Sequence, residues 1–162
     1  MTAEKHTISL LVENTPGVLS RIAGLFSGRS FNIESICAAP TMDRLVTRIT
    51  LTTTGDELIM EQINKQLNKL VNVIKVQDLT ETDFVEREMA LVKVRAEPAN
   101  RAEILRLVDI FRCNIVDVSP THYTIEVTGT AEKLGALLEL LKMGGIKEIA
   151  RTGSIAMVRE KK

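Results

Sequence analysis

The chain has no tryptophan, one tyrosine and four phenylalanines, so aromatics are 3% of its 162 residues while hydrophobic residues are 44%. That leaves ample apolar material for a core, but the core must be aliphatic, built from Leu, Ile and Val. Cysteine is almost absent too. Cys37 and Cys113 are too few and too far apart for a disulfide framework and read as small, reduced core groups. Neither sign of charge dominates: Lys plus Arg number 21 and Asp plus Glu number 21, for a formal net charge of zero. No basic field attracts phosphate backbones, which argues against nucleic acid as a partner. There is no apolar run of about 18 residues or more, and Met1 to His6 carry no apolar stretch. Neither a membrane span nor a secretory signal is expected, and the expected location is the cytoplasm.

Residues for catalysis are equally scarce. His6 and His122 lack a Cys, Asp or Glu at metal-ligand spacing, so neither metal binding nor general-base work is expected of them. The adjacent glycines Gly144-Gly145 follow Met143 and precede a strand pattern, which is a turn rather than a phosphate cradle. The central strands carry no aromatic platform for stacking RNA bases. Glu86-Arg87-Glu88 reads as a solvated charge run rather than a paired-carboxylate site.

What the chain does have is aliphatic periodicity, and it occurs twice. The first half predicts strand (His6 to Glu13), helix (Pro16 to about Arg29), strand (Asn32 to Ala39), strand (Leu45 to Thr53), helix (Asp56 to Leu70) and strand (Val73 to Leu79). In the second helix, Thr54 and Glu57 have capping-box spacing, Ile59, Ile63, Leu67 and Leu70 form a stripe, and Glu61 with Lys65 is a favourable pair. After Thr80-Glu81-Thr82-Asp83 the order returns: strand Met89 to Ala96, helix from about Pro98 to Arg112, strands Ile115 to Ser119 and Tyr123 to Thr128, helix Ala131 to Lys142, strand Ile146 to Ala150. Ser154 to Val158 adds a last short strand, and Arg159 to Lys162 reads as a frayed tail. The expected fold is α+β: two tandem ferredoxin-like βαββαβ domains, residues 1–80 and 81–162. In that topology the strand Asn32 to Ala39 lies at a sheet edge, and its Ile33, Ile36 and Ala38 suit a covered position. An edge of this kind is a natural seam for a homodimer.

The loop between the first strand and first helix, Glu13-Asn14-Thr15-Pro16-Gly17-Val18-Leu19-Ser20-Arg21, is the candidate site. Thr15 suits the N-cap and Pro16 the first helical position, and Gly17 leaves the following amides uncovered. Bare N–H groups at the positive end of a helix favour a small anion such as a carboxylate. Asn14 offers both a carbonyl acceptor and amide donors, so a zwitterion could be oriented there. Asn32 opens the edge strand, and pairing of two subunits along that edge would bring it toward the Asn14 loop of the other. Pro16-Gly17 as ordinary helix-start chemistry and Asn32 as a turn residue are the competing readings at this level. Charge-assisted hydrogen bonds contribute about 1.5 to 3 kcal/mol each, so a few contacts give roughly micromolar to millimolar affinity.

Several motifs together resemble a known family: Leu10-Leu11-Val12-Glu13-Asn14, Pro16-Gly17-Val18-Leu19-Ser20-Arg21, Gly24-Leu25-Phe26-Ser27, Phe31-Asn32-Ile33-Glu34-Ser35, Gln66-Leu67-Asn68-Lys69-Leu70 and Val85-Glu86-Arg87-Glu88. The N-terminal half resembles an ACT domain. From about Thr7 to Arg159 the chain resembles the small regulatory subunit of acetohydroxyacid synthase, also called acetolactate synthase. The resemblance implies a noncatalytic protein with no cofactor of its own. It implies a catalytic large subunit as partner, carrying thiamine diphosphate, Mg2+ and FAD, whose activity the small subunit raises and makes sensitive to valine. It further implies that the effector sits at a homodimeric ACT interface against Asn14, Gly17, Val18, Asn32 and Ile33, with Thr15, Pro16, Leu19 and Ser20 supporting the loop. No amino-acid site is expected in the second half, which has Glu97-Pro98-Ala99-Asn100 where the first has Pro-Gly. Ser30 departs from the family's usual Gly after the Arg, at a helix end where positive φ is common. Two other readings are an ACT-type sensor acting on a different enzyme, and an acylphosphatase-like hydrolase using Arg21 and Asn32. Against the hydrolase, Pro16 offers no amide to an anion-cradling loop.

Overall fold

The computed structural model describes residues 4–160. The chain divides into two compact units: one runs to Val85 and takes in the segment from Gly153 onward, and the other is Glu86–Thr152. The C-terminal segment therefore groups with the first unit, although its position in sequence places it with the second repeat.

In the first unit, β1 (Glu4–Glu13), β2 (Ile33–Pro40), β3 (Val46–Gly55) and β4 (Val73–Asp78) form an antiparallel sheet in the order β2-β3-β1-β4, with α1 (Val18–Ser27) and α2 (Glu57–Asn68) as its helices. The expected edge position of the second strand is observed. Alternation along β1 and β3 sends Ile8, Leu10, Val12, Ile49 and Leu51 to the face that carries the helices. Val18, Ile22, Leu25 and Phe26 of α1, at helical spacing, meet them with Met60, Ile63 and Leu67 of α2. α2 is capped by Asp56, whose Oδ1 accepts the Ile59 N–H at 2.9 Å, and not by Thr54. Thr54 still lies in β3 and gives its hydroxyl to Glu34, so the capping-box spacing falls two residues too early. Lys65 donates to Glu61 at 2.6 Å, and this hydrogen bond holds the Glu61 carboxyl below its ordinary value.

The second unit repeats the topology. β5 (Phe84–Arg95), β6 (Asn114–Val118), β7 (His122–Gly129) and β8 (Ile146–Arg151) take the order β6-β7-β5-β8, with α3 (Arg101–Ile110) and α4 (Ala131–Leu141). Its core joins Ala90, Val92, Val94, Ile125 and Val127 to Ile104, Leu134, Leu137 and Leu141. The charge run at 86–88 is not solvated throughout. Glu88 has the same parity on β5 as Ala90 and Val92, is 5% exposed, and receives Arg151 Nε at 2.6 Å and Nη2 at 2.9 Å. A carboxylate turned toward a core needs such a bidentate partner to offset its lost hydration.

The duplication extends below the level of elements. α1 stops in a paired-bond Schellman turn, with Phe31 N–H on the Phe26 carbonyl at 3.0 Å and Ser30 N–H on the Ser27 carbonyl at 3.2 Å. α3 stops the same way through Cys113 to Val108 at 2.8 Å and Arg112 to Asp109 at 3.1 Å. The left-handed position of each turn is held by a non-glycine residue, Ser30 at φ 58 and Arg112 at φ 52. Beyond each lies an Asn-Ile pair and a shift of strand register, between Ile33 and Ser35 and between Ile115 and Asp117. Removing the left-handed penalty with Ser30→Gly is expected to stabilise the first unit by roughly 0.5 to 1 kcal/mol, after allowance for the freer unfolded chain. Urea unfolding measures this, and a lower midpoint for the variant would contradict it.

A ninth strand, β9 (Ile155–Val158), pairs with β5. Arg159 is not frayed: its N–H meets the Asp83 carbonyl at 2.9 Å and its Nε meets Asp83 Oδ1 at 3.1 Å. Lys161 and Lys162 lie outside the described residues. No helix among the described residues is long and apolar enough to cross a membrane.

Candidate functional site

At the end of β1 the backbone is pinned from both neighbouring loops. Glu13 N–H bonds to the Asn72 carbonyl at 2.9 Å, Asn14 N–H to the Leu45 carbonyl at 2.8 Å, and Thr15 N–H to the Glu13 carbonyl at 3.0 Å. The chain then turns through Pro16 into Gly17, which stands at φ 87 and is the N-cap of α1, with no side-chain hydrogen bond to the helix. Thr15 is thus not the cap, and Pro16 precedes the helix instead of opening it. The left-handed turn at Gly17 supplies the change of direction that the Thr15-Pro16 reading assigned to the cap itself.

This arrangement leaves donors uncovered. Arg21 is the residue whose N–H makes the first regular bond, to the Gly17 carbonyl at 3.0 Å, while Val18 N–H reaches the Thr15 carbonyl only at 3.5 Å. The N–H groups of Gly17, Leu19 and Ser20 have no acceptor within the described chain. Apart from its chain neighbours, nothing stands within 4 Å of where a Gly17 β-carbon would be, so the turn that leads into these donors is open there. Val18 is buried and anchors the turn to the core, while Leu19 and Ser20 are exposed. Three amides at a helix start attract a carboxylate.

Asn14 is held for use rather than left loose. Its Nδ2 donates to the Arg44 carbonyl at 2.9 Å, which leaves Oδ1 as its unpartnered acceptor. The β2–β3 loop that supplies this carbonyl is itself folded by Asp43 Oδ1, which accepts the Leu45 N–H at 2.9 Å. Arg21 binds the Asn72 side chain, and Asn72 donates to Glu13 Oε2 at 2.6 Å. Arg44, Leu45 and Asn72 carry no motif in the sequence, because their role depends on long-range strand order.

Asn32 and Ile33 stand elsewhere. β2 and β1 both pair antiparallel with β3, so they run parallel to one another. Ile33 is level with Thr53, and Thr53 with His6, whereas Asn14 follows Glu13 at the other end of β1. At about 3.3 Å per residue, the strand from His6 to Glu13 separates the two groups by about 23 Å. One chain therefore cannot close Asn14, Gly17 and Val18 with Asn32 and Ile33 around one small ligand. Asn32 is exposed, its carbonyl accepts the Thr53 hydroxyl at 2.6 Å, and its side chain has no partner in the described chain. The same separation keeps Arg21 from Asn32, the pair that a hydrolase would need.

The second unit offers no equivalent opening. Asn100, the N-cap of α3, turns its side chain inward, Oδ1 accepting Glu97 N–H at 2.9 Å and Nδ2 donating to the Arg95 carbonyl at 3.1 Å. Arg101 donates to the Ala96 and Pro120 carbonyls, each at 3.0 Å, and lies over the Tyr123 ring. Elsewhere in the first unit an open, acidic depression is lined by Glu4, His6, Asp56, Glu61, Asp78 and Glu81. Among the described residues, no three His, Cys, Asp or Glu side chains converge as metal ligands.

Comparison with known proteins gives a consistent assignment. Residues 8–75 match the family model described as an AHAS small subunit-like ACT domain, and residues 87–160 match the model described as the small subunit of acetolactate synthase. The chain is 50% identical over 158 residues to the acetolactate synthase small subunit of Aquifex aeolicus, covering 96% of this chain and 82% of that one. It is 48% identical over 154 residues to the corresponding protein of Mycolicibacterium smegmatis, covering 95% and 91%. A crystal structure of the acetolactate synthase small subunit from Thermotoga maritima superposes with a TM-score of 0.88 at 44% identity, covering 98% of this chain and 99% of that one.

Proposed function

The chain belongs to the acetolactate synthase small-subunit family, and from that premise we propose that it is the noncatalytic regulator of a catalytic large subunit, raising its activity and conferring feedback inhibition by valine. The observation that carries this reading is the open start of α1, where the N–H groups of Gly17, Leu19 and Ser20 lack acceptors beside the unpartnered Oδ1 of Asn14. A free amino acid matches that pattern: its carboxylate takes the amides and its ammonium takes the carboxamide oxygen. The remaining contacts, from Asn32 and Ile33, come from a second copy. β2 is an edge strand with a rim of unpaired backbone, and Ile36, Ala38 and Ala39 are exposed on it. Antiparallel pairing of β2 with its counterpart across a two-fold axis carries each Asn32 toward the other chain's Asn14.

The chain carries no cofactor in this scheme; thiamine diphosphate, Mg2+ and FAD reside on the catalytic subunit, and the complex works in the cytoplasm. Effector binding shifts the arrangement that the catalytic partner prefers, a coupling of about 1 to 3 kcal/mol. The test is titration of the reconstituted pair with valine, leucine and isoleucine. Valine should inhibit in the micromolar to millimolar range, and its relatives should compete within about 1 to 3 kcal/mol because one methylene in an apolar pocket is worth no more. A pair that is activated yet indifferent to all three would overturn the sensor, and a chain that never associates with the thiamine-dependent enzyme would overturn the regulator.

A further inference from the structure

β2 is a lightly anchored edge strand of the first sheet. It pairs on one side only and contributes no fully buried residue, with Ile33 alone packing against the core cluster. Between Ile33 and Ser35 the register slips, so Glu34 is an extra residue at the point that sets the aim of Asn32 and Ile33. An edge strand with so little buried has a weakly fixed register. Something other than the core must hold it.

The face of this sheet away from the helices supplies the answer. Ser35, Thr52 and Thr7 lie in one cross-strand row, and Cys37, Thr50 and Ser9 in the next. These are small side chains, and Thr7, Ser9, Thr50 and Thr52 are buried although α1 and α2 pack on the opposite face. Small side chains let another backbone approach closely, and β9 packs against β1. Gly153, just upstream of β9, is at φ 79, and a β-carbon there would stand 3.4 Å from both the Ile36 carbonyl oxygen and Ser35 Cβ. Ser154 and Ala156 are 2% and 5% exposed. The far end of the segment is tied by pairing with β5 and by Arg159 to Asp83.

We propose that residues 153–158 act as a strap across the first sheet, and that Gly153 is a positioning residue that fixes β2 just past its bulge and so fixes where Asn32 and Ile33 meet the effector. The proposal rests on the effector reading above for its consequence, but the strap itself is measurable without ligand. Gly153→Val places a branched side chain at a φ it rarely adopts and against the Ile36 carbonyl. Ala156→Glu puts a carboxylate under the strap, and Ile155→Glu, at a site 57% exposed, is the control. In the full chain, Gly153→Val and Ala156→Glu should speed amide exchange in β2 by about tenfold or more while β1 and β4 keep their protection. In the holoenzyme both should raise the valine concentration for half inhibition by about tenfold, with the valine-free rate reporting folding and docking. Gly153→Ala, which keeps the left-handed strain but not the bulk, should fall between wild type and Gly153→Val and serves if the larger change fails to fold. Unchanged exchange in β2 overturns the strap whatever valine does. Faster exchange with unchanged valine response overturns the positioning role. Faster exchange in a chain whose wild-type form takes no valine overturns the effector reading and leaves the strap standing.

Discussion

Gly17→Asp is expected to abolish valine inhibition of the reconstituted enzyme. Gly17 is at φ 87 with nothing within 4 Å of its would-be β-carbon, so the new side chain meets no clash. Asp is among the few residues that tolerate the left-handed region, which keeps the cost to the fold small. Its carboxylate then stands beside the free N–H groups of Leu19 and Ser20, where it competes for them as a cap and repels the carboxylate of the effector. Losing charge-assisted contacts of about 1.5 to 3 kcal/mol each, with like-charge repulsion added, weakens binding by about a hundredfold or more. Calorimetry of valine with the variant, alongside its inhibition curve, makes the measurement. Gly17→Asn has the same shape without the charge and should lose less affinity, which separates repulsion from occupancy of the space. Undiminished valine binding by the Asp variant would remove the α1 start from the site.

The largest effect on stability is expected from Phe26→Ala. Phe26 is 1% exposed, meets Phe31 edge to face with ring centroids 6.4 Å apart, and its carbonyl takes the Phe31 N–H that stops α1. The substitution removes buried surface, leaves a cavity and loosens the hydrophobic clasp of the Schellman turn. A cost of about 3 to 5 kcal/mol follows, a large share of the stability of a small domain. The chain's one tyrosine, Tyr123, lies in the second unit, so its fluorescence reports that unit while circular dichroism reports both. The dichroism transition should move to lower urea in Phe26→Ala. A loss below about 1 kcal/mol would show that the surrounding Leu25, Ile22 and Phe31 can close the gap.

Elements built from periodicity were legible in the sequence. The stripe Val18, Ile22, Leu25 and Phe26 and the alternation through Ile8, Leu10 and Val12 are local patterns of the kind that burial imposes, and they placed two βαββαβ units and the edge position of β2 in advance. The left-handed position at residue 30 was signalled only through the resemblance, whose usual glycine there suits positive φ, and Ser30 takes φ 58. Three features were not. Thr15-Pro16 imitates a cap, but the rotation happens at Gly17, and no local rule says which of two neighbouring turn residues takes it. The hold on Asn14 by Arg44 and Leu45 exists only because β3 lies beside β1. The return of residues 153–160 to the first unit depends on a four-residue strand, too short to show a period of its own.

The parallel course of β1 and β2 has a thermodynamic consequence. Under the proposed function and pairing, each chain bears the two halves of a receptor at opposite ends, and a whole receptor exists only where two chains have associated. Ligation and self-association then become one linked equilibrium: dilution strips the chain of its ability to sense, and saturating ligand tightens the pair by mass action. The regulator's own abundance in the cell would thus help to set the threshold at which it responds.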